Sequence, residues 1–227
     1  MYPSTQSTID LTKGGQASRN RVLRNTYWLL ALSMIPTVAG AFLGVSMGVA
    51  LFSGILGFVI FMAVAFGFMW AIEKNKDSGL GVALLLGFTF FMGLMLAPLL
   101  THTLNYSNGG SLIMTAFGGT AIVFAVMASI ATTTKRDFSG MGSWLMAGVV
   151  VLLLAVVANI FLQMSVLSIV ISIRAIGIFS AFILYDVQRI VNGGETNYVT
   201  ATLSIYLNVF NIFSSLLRLL GIVGGDD

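Results

Sequence analysis

The chain contains no cysteine, three prolines and one histidine, His102, and only 8% of its 227 residues carry charge. Each shortage excludes something. Without cysteine there is no disulfide framework, no thiolate nucleophile and no thiolate metal site. A metal centre built on His102 would need three or four donors, and no acid or thiol stands beside it in sequence, so it reads as a hydrogen-bonding group in a loop. With charge this sparse and 57% of residues hydrophobic, too little polar surface exists to solvate a soluble core of this size. A formal net charge of +3 offers no footprint for nucleic acid.

What the sequence does have is a series of apolar runs of about 20 residues, unbroken by the period-two alternation of a lipid-facing strand. The expected fold is an all-α integral membrane protein, a seven-helix transmembrane bundle forming one domain over residues 27–223. A mobile cytoplasmic tail, residues 1–26, precedes it, and a short tail, 224–227, follows. The first segment is polar, carries Lys13, Arg19, Arg21 and Arg24 against Asp10, and lacks the apolar core of a signal peptide.

The spacing predicts helices over Tyr27–Gly44, Gly48–Ile72, Gly79–Leu100, Ile113–Thr133 and Ser143–Gln163, a sixth reaching Tyr185, and a seventh over Val199–Val223. Pro98 is expected to end the third. Small residues one turn apart, Gly40/Gly44, Ala83/Gly87 and Gly93/Ala97, mark faces for close helix packing, as do Ala121, Ala125, Ala128 and Thr132 in the fourth helix. Asn159 and Gln163, four apart, are expected to clamp a neighbouring helix. Lys and Arg fall in the N-terminal segment and in the links at 73–78, 134–142 and 186–198, while the alternate links have none. By the positive-inside rule these segments are cytoplasmic. The C-terminus then lies outside if the last helix spans, or returns to the cytoplasm if it is re-entrant.

Function is sought where polarity intrudes on the apolar spans. Ser204, Asn208, Asn211, Ser215 and Arg218 recur at helical steps and form a polar seam on the last helix. Asp186 ends the sixth helix on its small, hydroxylated face with Ser168 and Ser172, the face expected to meet that seam. Charge inside a bilayer costs roughly 2.5–3.5 kcal/mol on insertion scales, which makes Arg174, Asp186 and Arg218 functional candidates. Arg174 points about 120° away from Asp186 around the helix; it either snorkels outward or pairs with Asn159 or Gln163. Ser204, Asn208, Asn211 and Asp186 are the candidate pH-sensing or pore-lining groups. No enzyme is expected: an intramembrane aspartyl protease needs two facing aspartates and the spans hold one, and Gly193-Gly194 lacks the strand-to-helix setting of a phosphate loop.

Specific runs carry a family resemblance. Val22-Leu23-Arg24-Asn25-Thr26-Tyr27, Gly118-Gly119-Thr120-Ala121, Ala158-Asn159-Ile160-Phe161-Leu162-Gln163, the link Gly193-Gly194-Glu195-Thr196-Asn197-Tyr198, then Ala201-Thr202-Leu203-Ser204-Ile205-Tyr206 and Asn211-Ile212-Phe213 resemble the Bax inhibitor family, in its bacterial YccA-like branch. The resemblance implies an inner-membrane protein with no cofactor that associates with the membrane-bound AAA protease FtsH, restrains it, and is itself a poor substrate. Other members are pH-sensitive calcium leak pathways latched by two aspartates. Asp186 matches the first of these positions, whereas Asn208 stands at the second, so the coupled carboxylate pair is missing.

Overall fold

A computed structural model describes residues 5–48 and 54–225, with side chains from residue 15 to 48 and from 55 to 225. Among them are seven long helices, α1 Thr5–Ser46, α2 Gly54–Asn75, α3 Gly79–Leu104, α4 Gly109–Thr133, α5 Gly142–Leu162, α6 Ser165–Val191 and α7 Tyr198–Gly224. All seven contain a stretch long and apolar enough to cross a bilayer. The described residues form no strand.

The packing order follows composition. α7 has the lowest mean hydropathy of the seven spans and lies at the centre, touching α1, α2, α3, α4 and α6. α5, the most apolar span, packs mainly on α6 and leaves much of its surface outside the bundle core. A polar stripe is costly against hydrocarbon, so the helix that carries one is drawn inward.

Glycine closes the tightest helix pair. α1 lies along α3 so near that a Cβ at Gly40 would collide with the Phe90 carbonyl oxygen, and one at Gly93 with that of Thr37. A Cβ at Gly44 would come within 2.6 Å of the Ala97 Cβ. Two of the three expected small-residue pairs, Gly40/Gly44 and Gly93/Ala97, therefore face each other. Gly87 plays no such part, since a Cβ there would meet nothing nearer than Phe68 Cε1 at 3.7 Å.

Between these helices lies a core with Leu29, Ile72, Leu85, Phe88, Ile183, Val187, Ile205 and Ile212, all buried. Tyr206 is buried among them, and its hydroxyl shares a 2.9 Å hydrogen bond with Thr37 Oγ1 and donates to the Thr89 carbonyl at 3.3 Å. One side chain thus ties α7 to both α1 and α3.

Several boundaries differ from expectation, for physical reasons. α1 begins at Thr5, well before Tyr27, so the polar segment enters the helical register of the first span. α3 runs through Pro98 to Leu104, because a membrane helix has no water competing for the freed carbonyl. His102 consequently sits on the last turn of α3, edge-to-face with Tyr106, and the link to α4 shrinks to residues 105–108. In α4 the buried stripe is Leu112, Ala116, Thr120, Ala128 and Ala131; Ala121 and Ala125 are exposed. α6 continues to Val191, placing Asp186 inside the helix. The expected start of helix two at Gly48 runs into residues 49–53, and the tail's Asp226 and Asp227 likewise lie outside the described residues.

Candidate functional site

Two helices of equal length, α6 and α7, pack along each other and carry half of the buried polar side chains among the described residues. Asp186 lies on the buried face of α6 between Ile183 and Val187, and its Oδ2 accepts a 2.8 Å hydrogen bond from Asn208 Nδ2 of α7. Among the described residues it is the one side-chain hydrogen bond between the candidate acid and the seam. An amide beside a carboxyl donates to it without needing the proton that two carboxylates would have to share.

The pair opens onto a cavity of about 950 Å³ bounded by α2, α3, α5, α6 and α7. Ser204, Asn208, Asn211, Ser214 and Arg218 line it from α7, and Asp186, Tyr185 and Arg189 from α6. The structure therefore brings Asp186, Asn208, Asn211, Ser204 and Arg218 to one space and replaces the expected Ser215 with Ser214. Most of the wall is apolar, with Phe58, Phe61, Met62, Met95 and Leu99 among its members. Two of the polar groups are occupied within their own helix: Asn211 Nδ2 donates to the Leu207 carbonyl at 2.7 Å, and Ser214 Oγ to that of Phe210 at 2.8 Å.

Arg174 does not join them. It is exposed on α6, away from the cavity, and has no hydrogen-bond or ion-pair partner among the described residues. Asn159 instead fastens the α5–α6 turn, donating to Ser168 Oγ at 2.7 Å and accepting from the Met164 amide at 3.0 Å. Gln163 takes a left-handed conformation, φ 51°, that ends α5. The amide clamp expected there is thus made by Asn159.

At the opposite end, which the charge pattern makes cytoplasmic, the Gly193–Tyr198 link has a dense local structure. Gly193, at φ +80°, turns the chain so that the amides of Gly194 and Glu195 both donate to the Arg189 carbonyl, at 2.8 and 3.1 Å. Glu195 accepts from the Asn197 amide and lies 3.8 Å from the Arg189 guanidinium. Asn197 caps α7, accepting from the amides of Val199 and Thr200, while its Nδ2 reaches the Lys76 carbonyl at 3.1 Å and Asp77 Oδ1 at 2.8 Å. Lys76 in turn donates to Glu73 Oε1, a contact that raises the lysine's pKa. Gln188, buried one turn earlier, grips the third link: Nε2 donates to the Arg136 carbonyl and Oε1 accepts from the Phe138 amide at 2.6 Å. A single junction thereby holds all three cytoplasmic links. Nothing in the spacing of the Gly-Gly link announces this clasp; amides at helix ends are the available signal.

Comparison with known proteins agrees with this architecture. A family model described as "Inhibitor of apoptosis-promoting Bax1" matches residues 19–225. An Escherichia coli K12 protein named "Modulator of FtsH protease YccA" is 39% identical over 209 residues, covering 92% of this chain and 93% of the relative. The same identity and coverage hold for an E. coli O6:H1 protein named "Inner membrane protein YccA". An uncharacterized Neisseria meningitidis protein is 37% identical over 214 residues, 92% of this chain and 94% of its own length. Seven apolar helices and these relatives make the chain a multi-pass protein of the bacterial inner membrane. Matched by the family model over nearly its whole length and by relatives well above 30% identity, it belongs to the Bax inhibitor family.

Proposed function

We propose that this chain is a non-catalytic modulator of membrane-protein quality control, which binds a membrane-bound AAA protease of the FtsH kind and restrains it. The observation that carries the reading is near-full-length likeness to a relative named as a modulator of that protease. Two features of the chain fit the role. The cytoplasmic start of α1 displays Arg21 and Arg24 on its exposed side, within reach of a cytosolic machine. The clasp around Gln188 and Asn197 leaves the cytoplasmic links few loose segments for such a machine to seize. Isolation of the tagged chain from native membranes in mild detergent should recover the protease, and deleting residues 1–20 should weaken recovery and change the chain's turnover. Recovery of no AAA protease, with turnover unaffected by the deletion, would overturn the proposal.

A second reading draws on one specific observation, the convergence of Asp186, Ser204, Asn208 and Asn211 on a common cavity. These groups would line a cation or calcium leak pathway between α6 and α7. Flux into liposomes that vanishes in Asp186→Asn supports it; flux no greater than in empty vesicles removes it.

A further inference from the structure

Arg218 is a cation inside a membrane span, and among the described residues it has no hydrogen-bond or ion-pair partner. Unlike Arg174, which is also unpaired, it lines the cavity. It stands six residues before the end of α7, about 9 Å along the axis. With seven spans and a cytoplasmic N-terminus, that end is the outer one. We propose that the cavity is a phospholipid site, in which Arg218 holds the phosphate of an anionic lipid from the outer leaflet and one acyl chain lies in the slot lined by Phe and Met. This goes beyond the protease reading and does not depend on it.

Dimensions and chemistry both point to that occupant. Along α5 the lining runs from Gly142 to Ile160, eighteen residues or about 27 Å, close to the roughly 30 Å of a hydrocarbon core. A chain of one leaflet, about 15 Å long, that starts at Arg218 ends near Asn208, ten residues down α7. The walls over that depth suit a hydrocarbon: Phe58, Met95 and Leu99 are apolar, while Ser214 and one N–H of Asn211 donate back to their own helix. The Asp186–Asn208 pair then bounds the apolar part of the slot from below.

Other occupants fit less well. A spanning helix would bring a backbone already paired within itself and no anion to Arg218. Free inorganic phosphate would satisfy the guanidinium and leave the apolar slot unfilled. Lateral entry is available because α2 leans on α3 and touches α5 and α7 only sparsely, so the wall between α2 and α5 is thin.

The test is native mass spectrometry of the full chain in mild detergent, titrated with palmitoyl-oleoyl phosphatidylglycerol and, separately, with inorganic phosphate. Wild type and Arg174→Gln should each retain one lipid. Arg218→Gln should bind it at least about fivefold more weakly, the effect of about 1 kcal/mol per basic residue at an anionic lipid. Val156→Trp, which fills the slot from α5 without touching a charge, should weaken it equally. Undiminished binding by Arg218→Gln, an equal loss in Arg174→Gln, tight binding by Val156→Trp, or displacement of the lipid by phosphate would each overturn the proposal. Should Arg218→Gln fail to elute as a folded monodisperse protein, Val156→Trp and Arg174→Gln decide it.

Discussion

The α1–α3 seam gives a quantitative test of the packing argument. In Gly93→Ala the new methyl meets the Thr37 carbonyl oxygen and lies 3.0 Å from the Ala41 amide nitrogen, both backbone atoms of α1 that no rotamer change can move. Helix propensity alone favours alanine over glycine by about 1 kcal/mol. Against that, the helices must part by about 1 Å, and gaps of 0.5–1 Å forfeit a quarter to a half of each dispersion contact along the seam, an overpacking penalty of about 1–3 kcal/mol or more. The same displacement strains the Thr37–Tyr206 hydrogen bond, worth about 0.6–1.7 kcal/mol in a membrane interior. A net loss of about 2–3 kcal/mol is expected, measurable as a shift in equilibrium unfolding in mixed micelles. Gly87→Ala is the paired control: its methyl makes an ordinary van der Waals contact with Phe68 Cε1 at 3.7 Å, so stability should hold or rise by up to about 1 kcal/mol. The reasoning fails if Gly93→Ala matches wild type, or if Gly87→Ala falls with it.

Three other perturbations separate the remaining devices. Tyr206→Phe keeps the buried ring and deletes both hydrogen bonds to α1 and α3, so it should cost about 1 kcal/mol in the same unfolding assay; no change would mean those bonds add nothing beyond packing. Asn197→Ala removes the cap of α7 and the tie to the Lys76 link, and should lower stability by about 1–2 kcal/mol while speeding amide exchange in the first turn of α7. Gln188→Leu makes the α6 core position apolar but releases the Arg136 and Phe138 backbone, so limited trypsin digestion should cut at Lys135 or Arg136 in inside-out vesicles, which expose the cytoplasmic links, far faster than in wild type. Equal cutting rates would show that the third link is held by something else.

The number of spans and the glycine seam were legible in the sequence, because lipid allows only helices and close helix approach allows only small residues. Of the hydroxylated face of α6, Asp186 meets α7 as expected, whereas Ser168 is bonded to Asn159 of α5. Helix ends were less readable. Polar residues in water can prolong a helix without any hydrophobic signal, so α1 started early and α6 ran past Asp186 to Val191. Faces drift for a related reason: at 3.6 residues per turn, Ser214 and Ser215, three and four residues beyond Asn211, fall on either side of its direction, and packing chooses between them. Tyr206 and Gln188 stayed hidden because an aromatic in a span reads as filler and an amide at a helix end names no partner. Their partners, Thr37, Thr89, Arg136 and Phe138, are distant in sequence and adjacent only once the bundle has closed.

Where the chain is gripped follows from the same contacts. A protease pulling from the cytoplasm on the N-terminal segment pulls along α1, whose Thr26, Leu29, Leu30, Ser33 and Thr37 are buried. Unravelling that helix means freeing the Thr26 carbonyl from Thr202 Oγ1, Thr37 from Tyr206, and the whole glycine seam from α3. These contacts lie in series along the pulled helix, so the seam is the last barrier before the bundle opens. Resistance to extraction should then track the seam's stability, and the clasp, whose hydrogen bonds tie the α2–α3 link to the start of α7 and the α4–α5 link to α6 rather than holding α1, should matter less for a pull on this end. Pulse-chase in cells that contain the protease should show Gly93→Ala degraded several-fold faster than wild type, and Gly87→Ala unchanged. A Gly93→Ala protein that loses its 2–3 kcal/mol in vitro yet keeps the wild-type half-life would separate turnover from the seam, and would place the resistance in the protease contact itself.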